Sequence, residues 1–302
     1  MRIGVAAGAT AVTIVGASVP VTGMLEGYPV LTGQAMRYAL GGAVLLLVAL
    51  VTGKRLPLPR WRDLPALLGL VATGMLGFNA VLLAAQRYAE PGFVAAVLGA
   101  SPIALALLAP KRSLAAMVGA VVVGGGVVVL SGGGAWHGPG LVLALLTMAG
   151  EVSFTLFAVG VVRRLGVLAV STWTCLLAAT IGAVAGTFAG GWQMPDTRQI
   201  VALALLGTLL TAVAFGLWYF AVNTLGPGRA GVLIGMMPVS GLVTSVLLGA
   251  QSLTVSSALG ALTVALGCVI GLRKSQSGRP LEGDTPKTTF PHGTDISADV
   301  VR

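Results

Sequence analysis

Glu151 lies in the middle of an apolar stretch running from about Gly140 to Val162. About 20 residues rising ~1.5 Å each cover a hydrocarbon core of ~30 Å, so the stretch is long enough to cross a bilayer. A charge at that depth costs about 2.5–3.5 kcal/mol on insertion scales, and such residues usually face a cavity or a partner and carry function. The chemistry open to Glu151 is proton coupling, or counter-charge to a cationic substrate. The alternative is a protonated side chain bonded to a neighbouring helix.

Arg37 offers the opposite charge. It is an early residue of the second apolar run, about 9 Å below the end of that helix. Three roles are open to it: holding a substrate carboxylate or phosphate, neutralising Glu151, or snorkelling to the interface. Gln34 and Arg37 are three residues apart, and Asn79 and Gln86 seven apart, so each pair shares a helix face. Trp173, Trp218 and Tyr219 are candidate cavity walls. Trp218 and Tyr219 fall near a span end, where such rings also belt the membrane interface. Glu151, Arg37, Asn79, Gln34, Gln86 and Trp173 form the candidate substrate- and proton-binding set. Pro102 and Pro238 lie within apolar runs and are candidate hinges, because Pro kinks a helix.

These residues need spanning elements to position them, and the composition supplies such elements. The 302 residues are 56% hydrophobic and 9% charged, with mean hydropathy +0.96. Soluble domains carry roughly 25% charge. So few ions do not cover a water-facing surface, and the chain reads as an all-α polytopic membrane protein with the lipid bilayer as its solvent. The net charge of +9 sits in short clusters between apolar runs. That is the positive-inside pattern, and no nucleic-acid partner is expected. Cys175 and Cys268 fall inside apolar runs without metal-like spacing and read as small apolar side chains. No metal site and no cofactor are expected.

Ten runs of span length fall near 4–24, 31–52, 64–86, 92–109, 113–131, 140–162, 168–190, 199–222, 228–250 and 254–272. The first run, preceded by Arg2, has the look of a signal peptide but reads better as the first span. Fifteen of the 18 Lys and Arg fall at the ends or in one alternating set of loops, including Lys54, Arg55, Lys111, Arg112, Arg163 and Arg164. The opposite loops hold only Arg87 and Arg198. Both termini are therefore expected in the cytoplasm, with the chain crossing a cell membrane ten times. Residues 274–302 are polar and read as a disordered cytoplasmic tail.

Two segments match at a fixed offset. Pro91, Gly92, Gly99 and Pro102 recur as Pro227, Gly228, Gly235 and Pro238, each 136 residues on. That offset covers five spans. Five is odd, so the second half, 132–273, enters the membrane upside down relative to the first, 1–131. Inverted repeats of this kind underlie many secondary transporters, with the substrate site near the midplane between halves. Ala116, Ala120 and Gly124 on span five, and Thr263, Gly267 and Gly271 on span ten, form small-xxx-small rows. Such rows let helices approach closely, either within one chain or across a homodimer seam.

The arrangement resembles the EamA-like branch of the drug/metabolite transporter superfamily over about residues 5–272. The resemblance rests on ten spans in two halves, Gly16-Ala17-Ser18 in span one and Arg37 in span two. It also rests on the Arg87-Tyr88-Ala89-Glu90-Pro91-Gly92 turn, Pro102 in span four, and Arg163-Arg164 closing span six. It implies spans one to four and six to nine around a central cavity, with spans five and ten outside it. It implies efflux or exchange of small metabolites, amino acids or amphipathic compounds, often driven by protons. Val15 stands before Gly16 where the family usually has an aromatic.

An enzyme would need a nucleophile with its base, a metal cluster or paired acids. The sequence holds no HExxH, no GxSxG, no P-loop and no second intramembrane acid. The expectation is a proton-coupled exporter of a small metabolite working by alternating access. With one acid and one Arg in the spans, a zwitterion such as an amino acid fits the charges. A cationic amphiphile fits Glu151 alone, and a non-transporting membrane scaffold is the third reading.

Overall fold

In a computed structural model the chain is described over residues 1–110, 112–132, 134–189, 191–249 and 252–273. The tail expected to be disordered lies outside the described residues. Among the described residues nine helices are long and apolar enough to cross a membrane. They are α1 (Arg2–Gly23), α2 (Val30–Val51), α3 (Leu64–Ala85), α4 (Pro91–Leu108), α5 (Leu114–Ser131), α6 (Gly140–Leu165), α7 (Val167–Ala189), α8 (Thr197–Leu225) and α9 (Pro227–Leu247). A shorter apolar helix, α10 (Val255–Gly271), follows. Each matches one of the ten apolar runs to within three residues at either end. The molecule is a polytopic, all-helical membrane protein, apart from one isolated bridge between Ala89 and Trp136.

Local chemistry sets the helix ends. Asp196 and Gln199 form a capping box at the start of α8, and Thr254 and Ser257 form another at the start of α10. Each box satisfies two N–H groups that a helix start leaves without partners. α6 passes into α7 through Gly166 alone, and α8 into α9 through Gly226 alone. Their φ values of 86° and 80° lie where glycine meets no steric penalty.

The 136-residue offset reaches beyond the quoted Pro and Gly residues. α4 is broken between Pro91–Leu98 and Ser101–Leu108, so Pro102 restarts a helix rather than bending one. α9 is interrupted at the equivalent place by a 3₁₀ turn, Leu233–Gly235, just ahead of Pro238. Both prolines thus sit at discontinuities, a stronger disruption than the expected kinks. α3 widens to a π-turn at Val71–Met75, and α8 widens at Leu206–Val213 over the equivalent residues. In α8 the Thr211 hydroxyl donates to the Leu206 carbonyl, five residues back.

Packing repeats in the same way. α1 lies on α8 and α3 on α6, which are equivalent pairs, while α2 packs on α7, α4 on α9 and α5 on α10. Small residues line the last of these seams, but on α5 its glycines are Gly119 and Gly126, while Gly124 of the expected row packs on Gly99 of α4. A Cβ at Gly119 would stand 2.4 Å from the backbone of Gly271, and one at Gly126 2.7 Å from the amide of Val264. On α10 the contacting row is Gly260, Val264, Gly267 and Gly271, which turns Thr263 to the side. α5 and α10 thus approach closely within one chain. The main core lies between the remaining helices around Tyr38, Tyr219, Leu67, Leu70 and Met75, all fully buried. Cys175 and Cys268 are buried free thiols, in keeping with their reading as apolar side chains.

Candidate substrate and proton site

Glu151 lines a cavity of about 120 Å³ with walls from α1, α3, α6, α8 and α9. α1 supplies Ala11, Val12 and Val15; α3 supplies Gly74 and Phe78; α9 supplies Met237. α6 adds Phe154 and Thr155 to Glu151, and α8 adds Ala214, Phe215 and Trp218. Four aromatic rings therefore surround a single carboxylate. Phe154 and Phe215 lie 5.7 Å apart between centroids, and both contact the ring of Tyr219 behind them. Gly74 makes room for Phe154, since a Cβ there would overlap that ring. α1 meets α9 as closely, because a Cβ at Gly16 would overlap Ser240 and the Met237 carbonyl.

Two hydroxyls accompany the carboxylate. Ser101 Oγ, fully buried at the restart of α4, donates to Glu151 Oε2 at 3.0 Å. Thr155 lies one turn beyond Glu151 on the same face of α6, and its buried hydroxyl has no hydrogen-bond partner among the described residues. No ion pair reaches Glu151 among the described residues; the one ion pair there joins Arg164 to Asp63.

Arg37 does not meet Glu151, nor does it snorkel. It is buried in α2, where Nε donates to Thr211 Oγ1 at 2.8 Å and Nη1 to Gln34 Oε1 at 3.2 Å. The guanidinium also sits 5.0 Å from the centroid of the Tyr38 ring, within cation–π range. Gln34 and Arg37 thus share a face as expected. Around them the buried hydroxyls of Tyr38, Tyr219 and Ser171 have no hydrogen-bond partner among the described residues.

The other candidates are not at the cavity. Asn79 is partly buried in α3, and its Nδ2 donates to the Met75 carbonyl at the π-turn. Gln86 caps the end of α3 and is exposed, because the helix stops at Ala85 and leaves it outside the packed bundle. Trp173 points away from the cavity and donates from Nε1 to the Pro57 carbonyl at 2.9 Å. The rings read as belt residues are buried instead: Trp218 lines the cavity and Tyr219 is in the core. α8 runs three residues past the expected end of its span, at Leu225, which moves both rings inward.

Three residues escaped the sequence reading. Thr155 was legible from its spacing of four to Glu151. Ser101 was legible only as a polar residue beside Pro102. Asp63 is buried at the start of α3, accepts from the Arg60 amide at 2.9 Å and pairs with Arg164; its signal was one acid among Arg60, Arg62 and their neighbours. The loop residues Pro57 and Gln193 lie 136 positions apart, and both accept from an aromatic of the other half. Tyr28 donates its hydroxyl to the Gln193 carbonyl at 2.7 Å, as Trp173 does to Pro57.

A bundle of discontinuous apolar helices around a cavity with one carboxylate defines a membrane transporter by its class of architecture. The sequence profile of the EamA-like transporter family matches twice, over residues 2–132 and 138–273. The chain belongs to the EamA-like transporter family. It is similar to the uncharacterized transporter YetK of Bacillus subtilis (strain 168), with 26% identity over 254 residues, 78% of this chain and 77% of that protein. It is also similar to an uncharacterized transporter of Archaeoglobus fulgidus, with 23% identity over 254 residues, 80% of this chain and 87% of that protein. A crystal structure described only as that of a protein shares the fold, with a TM-score of 0.78 and 22% identity over 89% of this chain and 96% of that one.

Proposed function

We propose that the protein is a secondary transporter that exports a small organic cation in exchange for a proton carried by Glu151. The observation that carries this reading is the cavity, in which Glu151 is the only titratable group among twelve lining residues, four of them aromatic. A carboxylate and aromatic faces together suit a cation, by charge and by ring quadrupole. A proton and a cation compete for the same oxygens, and that competition is the coupling. The amino-acid reading asks for a cationic partner beside Glu151, whereas Arg37 is engaged by Thr211 and Gln34 elsewhere. That contrast favours the cation.

The working geometry is ten spans in two inverted halves, 1–131 and 132–273, both termini in the cytoplasm of a cell membrane, and alternating access about the Glu151 cavity. The equivalent breaks at Pro102 and Pro238, and the equivalent helix pairs, support this reading. Untargeted profiling of the medium of cells expressing wild type or Glu151→Gln at equal membrane levels tests it. Accumulation outside wild-type cells alone of an amine or quaternary ammonium is the expected outcome. A wild-type-specific amino acid would restore the zwitterion reading, and export unaffected by Glu151→Gln would remove Glu151 from the mechanism.

A further inference from the structure

The two halves present equivalent positions to the cavity but not equivalent chemistry. Val15 and Glu151 are 136 residues apart, and so are Ser101 and Met237. Val15, Glu151 and Met237 all line the cavity, and Ser101 touches it through Glu151. Of the two equivalent contacts between the halves, that of α1 with α9 is apolar at these positions, and that of α6 with α4 is hydrogen-bonded. The polar contact falls at a joint, because Ser101 is the first residue after the break in α4 and Pro102 follows it.

We infer that Ser101 is a positioning residue for Glu151. Its hydroxyl fixes the ionised carboxylate and ties it to the α4 break, so that neutralising Glu151 loosens that joint. A hydrogen bond to a charged acceptor is about twice as strong as one to a neutral acceptor. Loss of the charge therefore weakens the tie without moving any backbone. The equivalent joint in α9 has no such tie, since Met237 offers no donor and Val15 no acceptor. The proton thus acts on one of the two equivalent contacts between the halves, and the rocking of the halves follows from the state of α4.

No other charged group competes for Glu151. The wall residues from α1, α3, α8 and α9 include no titratable side chain, and α4 presents Ser101 alone. Buried Tyr219 of α8 has Thr174, Cys175 and Tyr38 as its polar neighbours, and Cys175 of α7 faces Arg37, rather than Glu151.

This inference rests on Glu151 being the proton carrier, and its test does not need the substrate. Dicyclohexylcarbodiimide forms an adduct with a protonated carboxyl in an apolar site. The full-length protein in liposomes is labelled across a pH series and the Glu151 adduct counted by mass spectrometry. Ser101→Ala is expected to move half-labelling about one pH unit toward alkaline, the size of one charge-assisted hydrogen bond. Ser101→Thr, which keeps the hydroxyl, is expected to restore the wild-type midpoint. A cysteine at the break, Ala100→Cys, is expected to react with a maleimide several-fold faster at acid than at alkaline pH once each rate is divided by that of the unfolded protein at the same pH, which removes the thiol's own ionisation. With Ser101→Ala added, the pH dependence of that normalised rate should vanish. An unmoved midpoint in Ser101→Ala overturns the positioning role, and a normalised Ala100→Cys rate that still depends on pH when Ser101→Ala is added overturns the link to the joint. Absence of any Glu151 adduct at any pH in wild type would instead remove the proton reading beneath both.

Discussion

Glu151 is the one titratable group lining the cavity, and that count sets a stoichiometry. One carboxylate exchanges one proton per cycle, and an organic monocation replaces that proton charge for charge. The exchange is then electroneutral. A pH difference of one unit is worth about 1.36 kcal/mol per proton, which is a tenfold ratio of substrate concentration. Substrate should accumulate on the acidic side of a vesicle about tenfold per pH unit, and a potassium–valinomycin potential should leave that ratio unchanged. The probe is radiolabelled tetramethylammonium, whose fixed charge prevents passive trapping of the kind weak amines show and whose size suits a cavity of about 120 Å³. Glu151→Gln should abolish the gradient while insertion and thermal stability are retained. A zwitterion exchanged for one proton would move a net charge, and its gradient would follow voltage at about tenfold per 59 mV. A ratio near a hundredfold per pH unit, a voltage-dependent ratio, or a gradient that survives Glu151→Gln would refute the single-carboxylate argument.

Other substitutions test the frame. Gly119→Leu places a side chain against the backbone of Gly271, where even a Cβ would be 2.4 Å away; a loss of about 1–3 kcal/mol is expected from such overpacking, read as a lowered melting temperature in detergent. Asp63→Ala leaves the Arg60 amide without its acceptor and removes the partner of Arg164. It should destabilise by about 1–2 kcal/mol, and Asp63→Ala with Arg164→Ala should lose less than the sum of the two single losses in a double-mutant cycle. Arg37→Lys replaces a fork that reaches Thr211 and Gln34 together by one ammonium; a lowered melting temperature is expected, while the pH slope of any remaining transport stays at the wild-type value. Trp218→Ala removes one ring of the cavity wall and should raise the KM for tetramethylammonium about fivefold, within the range of one cation–π contact.

The sequence by itself determined the class of molecule and the order of its elements. A mean hydropathy of +0.96 and runs of about 20 apolar residues leave a chain no way to bury itself except in lipid. The runs mark helix boundaries to within three residues because Gly, Pro and charged residues end a span for reasons local to the chain. Glu151 was legible because an intramembrane carboxylate is expensive wherever it falls, and the matched Pro and Gly residues announced the repeat. Tertiary structure decided which side chains meet. Helical spacing relates residues on one helix only, so it grouped Gln34 with Arg37 correctly but had no means of pairing Arg37 with Thr211, 174 positions away. It grouped Asn79 with Gln86, but the helix ends at Ala85, so Gln86 caps it in the open while Asn79 donates to the Met75 carbonyl. It ranked Trp173 above Trp218 from their distances to span ends, yet the rotation of each helix in the bundle sends one ring to the Pro57 carbonyl and the other to the cavity. Ser101 became a partner of Glu151 only when α4 broke beside α6. Contacts between helices depend on rotation, break and crossing, and those are set by packing over the whole bundle rather than by any one segment.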